Sequence, residues 1–235
     1  MSASRIFAVG DIHGHKKLLD NILDQLFFDE HLDLSVDKLI FMGDMVDRGP
    51  NSYGVICKVK ELVETYPDNV IALAGNHEWM NIMRYARGTP DDIELCENNG
   101  GIDTLMSYQV AGFSSITQEH LKWMSNLPFR HEEPGFFFSH APAPRDSYRN
   151  IMNRGLDFTA DELTWSYHPD ERGLARDHGN GIVGVCGHLH AVRKGILKPR
   201  LYDHYIFTDA GCGCHLKAPL CAVEVKSRKI LYAYP

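Results

Sequence analysis

No apolar run in this 235-residue chain approaches the roughly 20 residues that a membrane-spanning helix needs. The opening MSASRIFAVGD passes straight into an apolar strand, leaving no room for a secretory leader. No membrane partner is expected. Positive charge is scarce too: 24 Lys and Arg stand against 31 Asp and Glu, a formal charge of −7. Such a chain lacks the basic face that a nucleic-acid backbone requires, so no nucleic-acid partner is expected either. Any phosphate would have to be held locally, by metal ions and a few arginines. Six cysteines without a leader predict reduced thiols in a cytoplasmic protein, not a disulfide framework. Cys212, Cys214, His215 and Cys221 lie near one another, but three sulfurs at irregular spacing do not make a zinc motif. Internal repeats, low-complexity tracts and linkers are absent, so residues 1–235 are expected to form one domain.

What is present is an alternation of strand and helix. Arg5–Gly10, Lys38–Gly43 and Asn69–Gly75 read as short buried strands. Between them, His15–Phe28 carries Leu18, Leu19, Ile22, Leu23 and Leu26, and Ser52–Tyr66 carries Val55, Ile56, Val59, Leu62 and Val63, both at helical spacing. A third helix is expected near Glu78–Arg87. Strands separated by helices imply right-handed crossovers and a parallel sheet. Asp91–Pro128 reads as helical, broken at Gly100-Gly101. Beyond Pro134, strands are expected at Gly135–Ser139, Gly181–Cys186, Tyr205–Thr208, Ala222–Val225 and Lys229–Ala233, with a hairpin turn at Ser227-Arg228. Ala141–Asn180 reads as long polar loops with a little helix.

Three cassettes follow the first three strands: Gly10-Asp11-Ile12-His13-Gly14, Gly43-Asp44-Met45-Val46-Asp47-Arg48-Gly49 and Gly75-Asn76-His77-Glu78. Two more follow later strands: Ser139-His140-Ala141 and Gly187-His188-Leu189-His190. In open α/β sheets, ligands bind beyond the carboxyl ends of the strands, where all five cassettes fall. The inventory is Asp11, His13, Asp44, Asn76, His140 and His188. Oxygen and nitrogen donors without thiolate suit manganese, iron or zinc. Asp44 is the middle candidate, able to bridge two ions that clamp a phosphoryl group at about 3.5–4 Å separation. His77 cannot easily share an ion with adjacent Asn76, which frees it to act as an acid. Asp47 would hold its tautomer. Arg48 offers a planar fork matching two phosphate oxygens.

Together these motifs resemble those of the phosphoprotein phosphatase superfamily of metallophosphoesterases: GDxHG, GDxVDRG and GNHE, then two later histidine motifs, in order over residues 10–190. The resemblance implies an α/β fold of the calcineurin-like kind, two mixed β-sheets in a sandwich flanked by α-helices. It implies two divalent metal ions, most readily manganese, with Asp11 and His13 on the first, Asp44 between them, and Asn76, His140 and His188 on the second. It implies direct attack on phosphorus by a metal-bridging hydroxide. His77 would protonate the leaving oxygen, Asp47 would orient it and Arg48 would grip phosphate. The stretch Leu163-Thr164-Trp165 to Arg172-Gly173 resembles a shortened LWSDP…DRG segment, nominating Arg172 as a second phosphate ligand, with Arg176 and Arg145 as rivals. His190 is expected beside the metal ligands or at the surface. The implied activity is a protein serine/threonine phosphatase acting on a phosphorylated protein or small phosphoester. A diadenosine tetraphosphate hydrolase is the alternative, and a non-catalytic phosphate-binding module is a third.

Overall fold

The computed structural model describes residues 4–142, 160–165 and 181–235. Strand β1 (Ile6–Val9) pairs in parallel with β2 (Lys38–Phe41), and β2 with β3 (Val70–Ala72). The crossovers are α1 (Lys16–Asp24), extended by a π-helical turn at Gln25–Asp29, and α2 (Ser52–Thr65). Their expected stripes are buried: Leu18, Leu19, Ile22 and Leu23 on α1, and Val55, Ile56, Val59 and Leu62 on α2. Asn51 caps α2 by accepting the Gly54 N–H at 2.9 Å.

Helix α3 (Asn76–Ala86) begins two residues before the start expected at Glu78. Glu78, at the third helical position, reaches back to accept the Gly75 N–H at 2.9 Å and closes the first turn around the third cassette. Helices α4 (Pro90–Asn98), α5 (Gly101–Val110) and α6 (Gln118–Ser125) follow. Gly100, at φ 100°, makes the break between α4 and α5 in a conformation glycine adopts without strain.

The second half supplies β4 (Arg130–Glu133), β5 (Phe136–Ser139), α7 (Ala160–Trp165), β6 (Val183–Cys186), β7 (Arg200–Tyr202), β8 (Tyr205–Phe207), β9 (Leu220–Glu224) and β10 (Ile230–Ala233). Two sheets result, in the orders β10-β9-β1-β2-β3 and β4-β5-β6-β8-β7. Both are mixed: β9 runs antiparallel to its neighbours β1 and β10 in the first, and β4 and β7 run antiparallel to theirs in the second. Sequence periodicity does not reveal β4 and β7. Each is an edge strand, paired on one side only, so RHEE and RLY need no continuous apolar run. Of Ala141–Asn180, α7 is helical as expected, while most of the segment lies outside the described residues.

The sheets pack face to face. Ile6, Ala8, Ile40, Met42, Leu73, Val223 and Val225 from the first meet Phe138, Val185 and Ile206 from the second. Alternation along β1 sends Phe7 and Val9 to the opposite face, against the helices. Phe137, Cys186, Tyr205 and Phe207 form the outer face of the second sheet, covered by Leu163 of α7. The fold is therefore the expected sandwich of two mixed sheets flanked by helices. Parallel strands β1, β2, β3, β5, β6 and β8 all end toward one edge, and the cassettes follow there. Among the described residues no helix is long and apolar enough to cross a membrane.

Candidate active site

Asp44 is the hub of that edge. Its carboxylate Oδ2 lies 3.7 Å from His13 Nε2 and 3.8 Å from His77 Nε2, and its Oδ1 lies 3.4 Å from His140 Nε2. Two side-chain groups meet at it: His13, Asp44 and His77 on one side, Asp44, His140 and His188 on the other. Oδ1 also accepts the His77 N–H at 3.0 Å, so the first turn of α3 points its positive end at this carboxylate. Burial alone would raise the pKa of Asp44, but His140 and His77 outweigh it and hold the group well below the usual range. Gly75 lets the β3 loop come this close, since a Cβ there would fall 2.2 Å from Asp44 Oδ1.

The loops are fixed in unusual conformations. Seven non-glycine residues among those described have positive φ, and five are here: His13 (46°), Asp44 (51°), Asp47 (71°), Arg48 (66°) and His188 (58°). Each such residue costs about 1–2 kcal/mol, so the surrounding structure must over-determine it. Glu78 does much of that. Fully buried, it accepts N–H bonds from Asp44 (2.9 Å), Met45 (2.7 Å), Val46 (3.3 Å) and Gly75 (2.9 Å). Burial and the Asp44 charge push its pKa up to about 7. Glu78→Gln presents an amide N–H to those donors, and we expect a stability loss of about 2–3 kcal/mol in urea unfolding. An unchanged midpoint would contradict this role.

The imidazoles are held through Nδ1. His13 Nδ1 lies 3.0 Å from the Val46 carbonyl and His140 Nδ1 lies 2.8 Å from that of Met42, so each donates there and turns Nε2 to the centre. Burial, with His77 and Arg48 beside it, holds His13 well below its ordinary pKa and therefore neutral. His188 falls to about 3 through burial and the nearby His140. His140 moves the other way: burial lowers it, but Asp44 and Asp11 leave it at about 10. Its Nε2 also meets Asn76 Oδ1 at 3.0 Å.

His77 Nδ1 donates to Asp47 Oδ2 at 2.7 Å, and both side chains are buried. Arg48 forks across the site, with Nη1 donating to His13 Nε2 at 2.7 Å and Nη2 to His77 Nε2 at 2.8 Å. Five of the predicted ligands, Asp11, His13, Asp44, Asn76 and His140, are buried at this edge, and His188 is mostly so. Asp11 stands slightly apart from the two groups, accepting the His188 N–H at 3.1 Å on each carboxylate oxygen. Arg172 and its rivals Arg145 and Arg176 lie outside the described residues.

Residues 4–192 match the family of calcineurin-like phosphoesterases. The chain belongs to that family.

Within it, the chain is 32% identical over 136 residues to a symmetrical bis(5'-nucleosyl)-tetraphosphatase of Nitrosospira multiformis, covering 58% of this chain and 42% of that protein. It is 30% identical over 147 residues to serine/threonine-protein phosphatase 1 of Salmonella typhimurium, covering 61% and 62%. The matched stretches thus span less than two thirds of either relative. A solved protein serine/threonine phosphatase from Saccharomyces cerevisiae superposes with TM-score 0.60 at 15% identity, covering 99% of this chain and 79% of that one, a likeness of fold.

Calcineurin-like phosphoesterases work with divalent metal ions, and the donor set here fits them. Two donors each about 2.1 Å from a shared cation lie about 3 Å or more apart, near the 3.4–3.8 Å separations around Asp44. A buried carboxyl pair points the same way. Burial and the neighbouring Asp209 raise Asp11 well above the usual range, and burial raises Asp209 too. A cation would let both ionise. His190 Nδ1 is buried with no hydrogen-bond partner among the described residues, and the side chain lies close enough to Asp209 to favour its ionised form. His190 is half-buried and stands beside Asp209.

No sequence motif marks Asp209, although it follows the strand Tyr205–Phe207 just as Asp11 and Asp44 follow theirs. Cys214 accepts from Arg48 Nη1 at 2.9 Å. Burial pushes its pKa up to about 12, so it meets Arg48 as a thiol. All six cysteines are free, and Cys212, Cys214, His215 and Cys221 form no metal-binding group among the described residues.

Proposed function

We propose that this calcineurin-like phosphoesterase is a dinuclear-metal phosphomonoesterase acting on phosphoserine or phosphothreonine in proteins. The observation that carries the reading is the buried His77–Asp47 pair set beside Asp44, an acid placed next to a cation-binding carboxylate. Asp11 and His13 would hold one ion, Asn76, His140 and His188 the other, with Asp44 between. Manganese is the best fit to this donor set, with iron or zinc also suited. Bound there, the ions supply an activated water and neutralise phosphoryl charge. Asp47 accepts the Nδ1–H of His77 and would stabilise the imidazolium formed when Nε2 takes up a second proton in place of its bond from Arg48; that Nε2 proton is the one His77 would give to the departing alkoxide. Arg48, whose two N–H groups now rest on His13 and His77, would turn them to phosphate oxygens when substrate binds.

The choice of a protein ester rests on the likeness to the Salmonella phosphatase and on a single guanidinium, Arg48, bonded to the site histidines among the described residues, enough for one terminal phosphate. A dinucleoside polyphosphate hydrolase is the second reading, favoured by the likeness to the Nitrosospira tetraphosphatase. The deciding experiment offers the manganese-loaded protein a phosphoserine peptide, diadenosine tetraphosphate and bis(p-nitrophenyl) phosphate in parallel. Fastest turnover of the peptide supports the first reading. Preference for the dinucleotide overturns it, and no turnover of any of the three leaves a phosphate-binding module.

Two further results are expected. Arg48→Ala should raise the inhibition constant of inorganic phosphate about 10–100-fold, the loss of a charge-assisted pair; an unaltered constant would contradict its role. Manganese binding should release a proton, because His140 titrates near 10 in the metal-free protein and must be neutral to ligate. Apparent affinity should then climb about tenfold per pH unit from 7 toward 9. Calorimetry in buffers of different ionisation enthalpy reads this, and no buffer dependence would argue against His140 as a ligand.

A further inference from the structure

Asp47 is the residue on which the acid depends, and its own support comes from a helix that no motif marks. Helix α5 starts against the second cassette: the Arg48 N–H points at the Gly100 carbonyl at 3.4 Å, and a Cβ on Gly100 would fall 2.8 Å from Arg48 N. One turn further along α5, Thr104 is fully buried. Its hydroxyl accepts the Asp47 backbone N–H at 2.8 Å and donates to Asp47 Oδ1 at 2.6 Å. One hydroxyl thus brackets both the backbone and the carboxylate of the same residue. Ser52 Oγ lies 3.1 Å from Thr104 Oγ1 and accepts the same N–H at 3.1 Å, while Asn81 Nδ2 donates to Oδ1 at 2.9 Å. Oδ1 is therefore fully engaged, and Oδ2 is left for His77.

The consequence is geometric. Asp47 sits at φ 71°, a backbone conformation that a non-glycine residue keeps only when held. A carboxylate free to turn about its Cβ–Cγ bond would present either oxygen to His77, or neither. We propose that Thr104 is the positioning residue of the acid: its paired bonds set the rotation of the Asp47 carboxylate, and through it the orientation of His77. The inference rests on the reading of His77 as proton donor. It gives Asn99-Gly100-Gly101 a purpose beyond a turn, because that break starts α5 where Thr104 reaches Asp47.

The test uses the full-length protein and three variants, Thr104→Val, Thr104→Ser and Thr104→Ala. The alanine variant gives the same reading if the valine variant does not accumulate. The first readout needs no turnover. An imidazole N–H held to a buried carboxylate gives a resolved downfield proton resonance, which Asp47→Asn identifies by its loss. That resonance should be present in the parent and Thr104→Ser, and broadened or lost in Thr104→Val. The second readout compares leaving groups with manganese bound. Thr104→Val should lower kcat on phenyl phosphate, whose departing oxygen needs the proton, by about tenfold. On 2,4-dinitrophenyl phosphate kcat should change little, KM should hold on both, and Thr104→Ser should restore the parent values. An intact resonance in Thr104→Val, or equal losses on the two esters, would overturn the inference. His77→Ala, run beside it, separates the two levels. If His77→Ala shows no leaving-group dependence, the acid reading fails, and the resonance still decides whether Thr104 positions His77.

Discussion

Replacing His77 by alanine should lower kcat on phenyl phosphate about 10²–10⁴-fold, the usual range for losing a general acid. Metal content should not change. His77 sits within reach of Asp44 and His13, so proximity alone does not separate a proton donor from a metal ligand. Its connections do. Nδ1 is committed to Asp47, whose other oxygen is tied by Thr104 and Asn81, an arrangement that fixes a tautomer. Its chain neighbour Asn76 instead turns Oδ1 toward His140. Elemental analysis of dialysed His77→Ala checks the distinction. Manganese lost in step with activity would make His77 a ligand and end its assignment as the acid.

Asp44→Asn should have the broadest effect of any single substitution. The side chain keeps its shape and an oxygen to accept the His77 N–H, so the fold should persist. What goes is the charge shared by both histidine groups. Outer partners of metal ligands typically contribute 10–100-fold in affinity, so removing the shared ligand should weaken manganese binding by at least about 100-fold for both ions. Turnover should fall with it. Titration of the metal-free variant reads the loss directly, and one site bound with parental affinity would mean that Asp44 serves only the other.

The convergence of the five cassettes at one sheet edge is legible in the sequence. Five apolar strands end in a cassette, and parallel strands place their ends at one edge, which brings Asp11, His13, Asp44, Asn76, His140 and His188 toward one another. The parts that were not legible have physical causes. Strands β4 and β7 lie at sheet edges, where one-sided pairing imposes no apolar pattern. Asp209 carried the same signal as Asp44, a carboxylate just past an apolar strand, but without a flanking glycine-rich cassette. Thr104 and Glu78 act through buried hydrogen bonds to backbone and carboxylate. Thr104 is buried on a helix whose exposed positions include Ile102, Met106 and Val110, so apolar spacing does not mark its inward face. Cys214 meets Arg48 only because the loop after β8 folds back over the first cassette, a contact spanning 166 positions.

One shared centre at Asp44 underlies each of these expectations. Crystals grown with manganese and measured at its absorption edge test it most directly. Two anomalous peaks about 3.5–4 Å apart, on either side of the Asp44 carboxylate, are the predicted result. A lone peak, or two peaks that do not share Asp44, would contradict it.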